Sequence, residues 1–257
     1  MTEPRTSAIV PFHGKGPLLR EAVESALSQT VADIEVIVVD DASPEPATDA
    51  LAGVADERLR IVRLPRNRGA STARNAALAL ARAPFVSQLD ADDTWELRYL
   101  ESVLPCLDDP EVGLVYANAR LLGHPQGRQF SYLDGSGHPI RRWDQLAHEN
   151  ALQAPTVTIR SAAARAVGGW ATWLRFVEDW HMYLKLFRAG WRFEYVDEPL
   201  ATYRWPHYGL GGKYARAQLE RFELIMWAGI ALRVRRWPRG QIRWRVQREL
   251  RRGPPDG

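Results

Sequence analysis

Short apolar runs and helical patterns alternate along the first part of the chain. The runs TSAIVPF (Thr6–Phe12) and IEVIVVDDAS (34–43) are rich in Val and Ile, and between them the apolar residues recur at helical spacing. Strands that are apolar throughout are typical of a parallel sheet with both faces covered. The pattern therefore predicts a strand, a helix and a second parallel strand.

The alternation continues along the chain. We predict a strand over 59–65, a helix over 69–83 and a strand over 84–90. Beyond these, the pattern predicts a helix in LRYLESVLPCLDD, a strand over 112–123, a strand and a helix in APTVTIRSAAARAVGGW, a helix in EDWHMYLKLFRAG and a final strand pair in WRFEYVDEPLATYRW. Residues 124–150 are rich in Gly, Pro and His and are expected to form a connection. The predicted fold is α/β, with a Rossmann-like, mostly parallel central sheet flanked by helices.

Composition narrows the class of protein. The chain has 257 residues, of which 46% are hydrophobic and 25% charged, an ordinary globular composition. Its one cysteine, Cys106, excludes an internal disulfide and a multi-cysteine metal site. No apolar run reaches the length of a signal peptide or a membrane span, so we expect a cytoplasmic location.

Positive charge is concentrated near the C-terminus. From residue 213 onward there are 12 Lys and Arg against 4 Asp and Glu, whereas the first 212 residues hold 22 against 27. A basic amphipathic helical tail over 211–257 is expected, and two interpretations of it stay open: peripheral contact with an anionic membrane surface, or a solvated helix or partner contact. Nucleic acid is not expected as a partner, because nothing else resembles a nucleic-acid module.

Acidic clusters lie at the ends of predicted elements. They are Asp40 with Asp41, then Asp90, Asp92 and Asp93, and finally Glu178 with Asp179. In open α/β sheets, ligands bind at the edge where the parallel strands end. Divalent cations such as Mg²⁺ and Mn²⁺ take oxygen ligands, and Mg²⁺ is commonly held by one or two carboxylates plus substrate phosphates. Together with Arg74, near the start of a predicted helix, these acids predict a diphosphate site.

Each of these features alone also has a structural explanation. Asp40 and Asp41 could cap a turn, and Arg74 could be a solvated helix arginine. Glu178 and Asp179 could simply favour a helix N-terminus. The tryptophans before and within the last helix are expected in the core rather than as sugar platforms; they are Trp170, Trp173 and Trp180. The diphosphate interpretation therefore depends on the clusters meeting in space.

Successive blocks of the sequence resemble glycosyltransferase family 2. The blocks SAIVPFHG, REAVESALSQT, IEVIVVDDAS, NRGASTARNAAL and QLDADD stand in the order and at the separations of that family. TVTIRSAAARAVGGW, VEDWHMYLKLFRAG and YRWPH continue the likeness, which covers about residues 6–210. The resemblance implies a GT-A fold, with a nucleotide-sugar-binding half over about 1–110, an acceptor-binding half over about 111–210, and the tail beyond.

The resemblance also implies roles for residues on the donor side. Pro11 and His13 would line the nucleoside pocket, although the family often has Tyr or Asn in place of His13, and Asp41 would hydrogen-bond the base. Arg74 would approach the diphosphate. Asp90 would meet the ribose or the metal shell, and Asp92 would be the ligand of Mn²⁺ or Mg²⁺. Asp93 would either hold its turn or lie behind the metal ligands.

On the acceptor side, the resemblance places a general base at the start of the EDW helix. This is Asp179, with Glu178 as the alternative, and such a carboxylate needs no unusual pKa to be ionised at pH 7. His207 would complete the metal or phosphate site, and His181 stands where the family more usually has Asp.

The implied activity is metal-dependent, inverting transfer of a sugar from a nucleotide diphosphate to an acceptor hydroxyl. UDP is the expected nucleotide by family frequency, and dTDP- and GDP-sugars stay open. The expected acceptor is a saccharide or a lipid-linked saccharide in surface polysaccharide or glycan assembly. The alternative is a catalytically silent nucleotide-sugar-binding or scaffolding protein on the same fold.

Overall fold

The structure is a computed structural model that describes residues 3–14, 16–123, 140–142, 145–146, 150 and 152–204. The predictions for His207, for the tail over 211–257 and for most of the 124–150 connection lie outside the described residues. Within the described ranges, no helix has the length and apolar character needed to cross a bilayer.

The first half of the chain forms the parallel part of the sheet. Its elements are β1 (Thr6–Phe12), α1 (Gly16–Leu27), β2 (Ile34–Asp40), α2 (Ala47–Ala50), β3 (Leu59–Arg63), α3 (Ala70–Leu80) and β4 (Phe85–Gln88). The four strands pair in parallel in the order β3-β2-β1-β4. Every residue of β2 is buried, as its unbroken apolar run predicts. The helices α1 and α3 pack in separate apolar clusters on opposite faces of these strands.

The second half extends the same sheet. Its elements are β5 (Thr94–Trp95), α4 (Tyr99–Val103), β6 (Val112–Leu122), β7 (Val157–Arg160), α5 (Ser161–Ala166), α6 (Glu178–Arg188) and β8 (Arg192–Arg204). The strand order continues β4-β7-β6-β8-β5. Strand β7 runs antiparallel to β4 and β6, and β5 runs antiparallel to β8. One eight-stranded sheet therefore passes through both predicted halves, and the division near residue 110 stays a prediction.

Two predicted elements differ from the structure. The final strand pair is one strand, β8, whose register against β6 shifts where Asn118 faces Pro199. The sequence VDEP, which resembles a turn, lies inside this strand and interrupts its regular pairing. Proline has no backbone N–H to donate to the neighbouring strand. The helix predicted from residue 97 is shorter, since α4 ends at Val103 and a 3₁₀ turn with Pro105 follows.

Candidate active site

The end of β2 is tied to the start of α3 by Asp41. This buried carboxylate accepts hydrogen bonds from the backbone N–H of Arg68 at 2.8 Å and of Gly69 at 2.6 Å. Gly69 precedes α3 with φ of 89°, a left-handed conformation that glycine adopts without strain. Asp41 therefore positions the N-terminus of α3, and its predicted contact with a base stays a prediction.

The predicted nucleoside residues lie together at the same edge. Pro11 is paired with β2 near the end of β1, and the Asp41 N–H donates to the carbonyl of Phe12. The exposed His13 has Nδ1 3.1 Å from the Asp41 carbonyl oxygen. The structure thus brings Pro11, His13 and Asp41 to one corner of the sheet edge.

Asp40 stabilises the turn that follows β2. Its buried carboxylate accepts from the N–H of Ser43 at 2.7 Å and of Ala47 at 3.0 Å, and it pairs with Arg63. The alternative in which an acid caps the turn after β2 is therefore correct for Asp40.

Arg74 joins the two sides of the site. Its Nη1 donates to Glu178 Oε1 at 2.7 Å and its Nη2 donates to Asp90 Oδ1 at 2.6 Å. Arg74 is only 4% exposed, so the interpretation as a solvated helix arginine is wrong. Burial lowers the pKa of Arg74, but the charges of Asp90 and Glu178 more than offset this and raise its pKa above the ordinary value. The guanidinium therefore stays charged between two carboxylates from distant parts of the chain.

Asp179 follows Glu178 in the first turn of α6. Its Oδ1 accepts from the Trp180 N–H at 2.6 Å, and its Oδ2 accepts from Asn150 Nδ2 at 3.1 Å. Burial and the neighbouring charge of Glu178 raise the pKa of Asp179 from 3.8 to about 7, against the lowering effect of Arg74. Asp179 therefore has a raised pKa, a shift that the predicted base role did not require. Asn150 was not predicted, because it lies in a connection without periodic pattern.

Residues 90–93, here called the acid turn, follow β4. Asp93 is buried, its N–H donates to the Asp90 carbonyl, and its Oδ1 accepts from the Arg204 N–H at 2.7 Å. Burial and the charges of Asp90 and Asp92 raise the pKa of Asp93 well above its ordinary value. Of the two roles proposed for Asp93, the structure supports the one that holds the turn.

Arg204, the last residue of β8, contacts both the acid turn and helix α1. Its N–H bonds Asp93, its Nη1 donates to the Asp92 carbonyl at 2.6 Å, and its Nη2 pairs with Glu21 of α1. Sequence reasoning missed this residue, although the YR letters of YRWPH mark its position. Arg204 therefore joins the far end of the sheet to the predicted metal-binding turn.

The chemistry of the acid turn fits a hard divalent cation. Asp90 and Asp92 are both partly exposed and both offer carboxylate oxygens. Within the part of the chain that the structure describes, no group of three or more His, Cys, Asp or Glu side chains is placed to hold a metal ion by itself. Mg²⁺ commonly needs only one or two carboxylates when phosphates and water complete its shell. The turn therefore suits a cation that binds together with a diphosphate.

Two further side chains of α6, Tyr183 and His181, are buried. Tyr183 is buried and its hydroxyl accepts from Gln88 Nε2 of β4 at 3.1 Å. His181 is also buried, and burial together with Lys185 lowers the pKa of His181 to about 4, so its ring is neutral at pH 7. The Trp173 ring meets His181 edge-on, with centroids 5.6 Å apart. Trp173 is 64% exposed, so its core prediction is wrong, whereas Trp170 and Trp180 are buried as predicted.

Known proteins share sequence and fold with this chain. The family model described as Glycosyl transferase family 2 matches residues 7–156. The succinoglycan biosynthesis protein ExoO of Rhizobium meliloti (strain 1021) is 38% identical over 91 residues, which are 35% of this chain and 26% of ExoO. The chain thus spans about a quarter of the length of this curated relative.

Solved structures share the fold. S. aureus TarS (residues 1–349) in complex with UDP matches with a TM-score of 0.70 and 20% identity, over 87% of this chain and 65% of TarS. The mannosyltransferase PcManGT from Pyrobaculum calidifontis, in complex with GDP-Man and Mn²⁺, matches with a TM-score of 0.67 and 23% identity, over 92% of this chain and 66% of PcManGT. The GT-A fold that the sequence blocks implied is confirmed.

Proposed function

The chain belongs to glycosyl transferase family 2, and we propose that it is a metal-dependent, inverting glycosyltransferase that moves a sugar from a nucleotide diphosphate to an acceptor hydroxyl. The observation that supports this proposal is that the two sides of the site meet at Arg74. Arg74 joins Glu178, the neighbour of the predicted base Asp179, to Asp90 of the acid turn. The proposed base and the proposed metal-binding turn thus lie on either side of one buried arginine.

The donor lies on the side of β1, β2 and the acid turn. The nucleoside would contact Pro11, His13 and Asp41, which lie at one corner. UDP is favoured because TarS was solved with UDP, and the GDP-Man of PcManGT keeps GDP-sugars open beside dTDP-sugars. A divalent cation, Mn²⁺ or Mg²⁺, held by Asp92 and Asp90 would act as a Lewis acid toward the departing diphosphate.

Asp179 acts as the general base. The acceptor oxygen attacks C1 of the sugar from the face opposite the diphosphate and passes its proton to Asp179, while the bond from C1 to the phosphate oxygen breaks. A pKa of about 7 suits a base that works near neutral pH. Glu178 is engaged by Arg74, so it is the weaker of the two candidates. Asn150 and the Trp180 N–H orient the Asp179 carboxylate.

The acceptor is proposed to be a saccharide or a lipid-linked saccharide in surface polysaccharide assembly. The similarity to a succinoglycan biosynthesis protein supports this class of product. Action in the cytoplasm, with the basic tail at an anionic membrane surface, is the matching proposal for location. His207 is kept as a proposed metal or phosphate ligand.

Nucleotide-sugar binding provides a first test. A ligand present at 100 times its Kd stabilises a protein by about 2.7 kcal/mol, which corresponds to about 5–10 °C in a chain of this size. We expect UDP-sugars to raise the unfolding temperature of the full chain by such an amount with Mn²⁺, and much less with EDTA. Equal shifts with and without Mn²⁺ would contradict the metal-dependent donor site. Binding without nucleotide release would favour the catalytically silent alternative.

Arg204 should control the acid turn. Replacing Arg204 by Met removes the donors to the Asp92 carbonyl and to Glu21, so Asp92 loses its fixed position. We expect the Mn²⁺ concentration for half-maximal UDP binding to rise about 10-fold or more, as is common when groups behind metal ligands are removed. The matched control is Arg192→Met at the other end of β8, where the arginine pairs with Asp109. If both variants behave alike, Arg204 has no specific role in the turn.

A further inference from the structure

Both terminal nitrogens of Arg74 are already engaged. Each makes a charge-assisted hydrogen bond of 2.6 to 2.7 Å, and the partner carboxylates are Asp90 and Glu178. The arginine and Glu178 are both buried, at 4% and 8% exposure. These contacts use two of the five N–H donors of the guanidinium, and the buried Nε–H has no partner within the described residues. A donor diphosphate that took the place of Glu178 would leave a buried carboxylate unpaired beside an anionic phosphate, which is strongly unfavourable. One that took the place of Asp90 would break the contact between α3 and the acid turn.

The next residue of α3 makes a second link to the same region. Asn75 Nδ2 donates to the Trp170 carbonyl at 2.7 Å, and the Trp170 N–H donates to Asn75 Oδ1 at 2.8 Å. The contact is close, because a Cβ added at Gly169 would clash with Asn75 Oδ1. Arg74 and Asn75 thus bind the two ends of the segment 170–178, which leads into α6.

This arrangement connects parts of the chain that are far apart in sequence. Arg74 lies 16 residues before Asp90 and 104 residues before Glu178. The first contact reaches the acid turn and the second reaches the helix that carries Asp179. Arg74 therefore connects the acid turn directly to the helix that carries Asp179.

We propose that Arg74 is a positioning residue that, with Asn75, holds the base-bearing helix α6 against the acid turn, and that it is not a ligand of the donor diphosphate. This inference rests on the proposed transferase function and replaces the diphosphate role that the resemblance implied for Arg74. Arg74 and Asn75 together are called the α3 latch.

Steady-state kinetics separate the two roles. In Arg74→Met we expect kcat to fall about 100-fold, as a small misplacement of reacting groups can do, while the donor KM and the Kd for UDP, both measured at saturating Mn²⁺, stay close to wild type. Asn75→Ala should lower kcat in the same way, and Arg74→Lys, which keeps the charge, should recover part of it. A diphosphate ligand would give the opposite pattern, with a weakened Kd for UDP and a raised donor KM in Arg74→Met.

A matched control separates positioning from general destabilisation. Arg82→Met also removes an ion pair with a buried glutamate, Glu35, at 3.0 Å. Glu35 lies near the start of β2, at the edge away from the site. We expect Arg82→Met to lose stability but to keep kcat.

Hydrogen exchange of the full chain tests the latch without any catalysis. We expect Arg74→Met and Asn75→Ala to speed amide exchange across 170–188, with little change in β1 and β2. Unchanged exchange over 170–188 would overturn the latch. If the wild-type chain transferred no sugar from any donor, the proposed function would fail, and the exchange experiment would still decide the role of Arg74.

Discussion

Replacement of Asp179 by Asn is expected to lower kcat for sugar transfer by about 10²- to 10⁴-fold, the range that general-base catalysis contributes. The amide cannot accept the proton of the acceptor hydroxyl, yet its oxygen can still accept the hydrogen bond from the Trp180 N–H. Donor binding should stay close to wild type, because the proposed nucleoside and phosphate contacts lie on the other side of Arg74. Transfer assays and UDP calorimetry on the same samples would measure both quantities.

The pH dependence gives this prediction a second readout. Since the base must be ionised, kcat/KM of the wild type should rise with pH and level off above about 7, the pKa of Asp179. The rising limb should be absent from the residual activity of Asp179→Asn. A control is Asp197→Asn, which changes a carboxylate on β8 that is hydrogen-bonded to Tyr195 away from the site. Undiminished transfer by Asp179→Asn would end the base assignment.

The stability of the wild type should fall over the same pH range in which its activity rises. The pKa of Asp179 is higher in the folded protein than its ordinary 3.8, so folding favours the protonated form. The free energy of unfolding therefore falls as the pH rises from about 4 to about 7, and this loss persists above pH 7. Asp179→Asn has no carboxylate to ionise and so does not undergo this loss of stability. At pH 8 the variant should therefore unfold at a temperature no lower than wild type. Loss of transfer would then not reflect misfolding.

Replacement of Asp92 by Ala is expected to abolish most metal-dependent activity. A Lewis acid stabilises transition-state charge by several kcal/mol, so we expect a loss of about two to three orders of magnitude. The thermal shift by UDP-sugar with Mn²⁺ should largely disappear as well.

The neighbouring Asp93 offers a matched control with the opposite expectation. The Asp93 carboxyl is buried, its pKa is well above the ordinary value, and its oxygen accepts from the Arg204 N–H. In Asp93→Asn the amide oxygen can take the same hydrogen bond without a charge. We expect this variant to keep the turn and the Mn²⁺-dependent shift. If Asp93→Asn lost the shift while Asp92→Ala kept it, the assignment of the metal ligand within the turn would be wrong.

The first half of the fold could be predicted from the sequence because its strands are buried on both faces. The run TSAIVPF matches β1 from Thr6 to Phe12 without error. The acids after β2 and β4 meet at one edge because both strands are parallel and end there. The second half was less predictable. The antiparallel β7 and the 13-residue β8 depend on pairing with distant strands, which local pattern does not encode.

The side-chain contacts of the candidate site were likewise only partly predictable from the sequence. The residue types at Arg74, Asp90 and Asp179 indicated a charged site. Their contacts depend on tertiary structure, since the partners of Arg74 are far away in sequence and the pKa of Asp179 depends on burial. Asn150 and Arg204 had no periodic signal of their own, and only the fold places them beside the proposed base, Asp179, and the acid turn.

The most direct test of the central claim is the stereochemistry of donor cleavage. The full chain would be incubated with UDP-, GDP- and dTDP-sugars and Mn²⁺, with water or a simple saccharide as acceptor, and the first-formed sugar product would be followed by proton NMR. We expect one class of donor to release its nucleotide, to need the metal, and to give a product whose anomeric configuration is opposite to that of the donor. We also expect this signal to be lost in Asp179→Asn. Retained configuration, or donor binding without cleavage of any nucleotide sugar, would contradict the account.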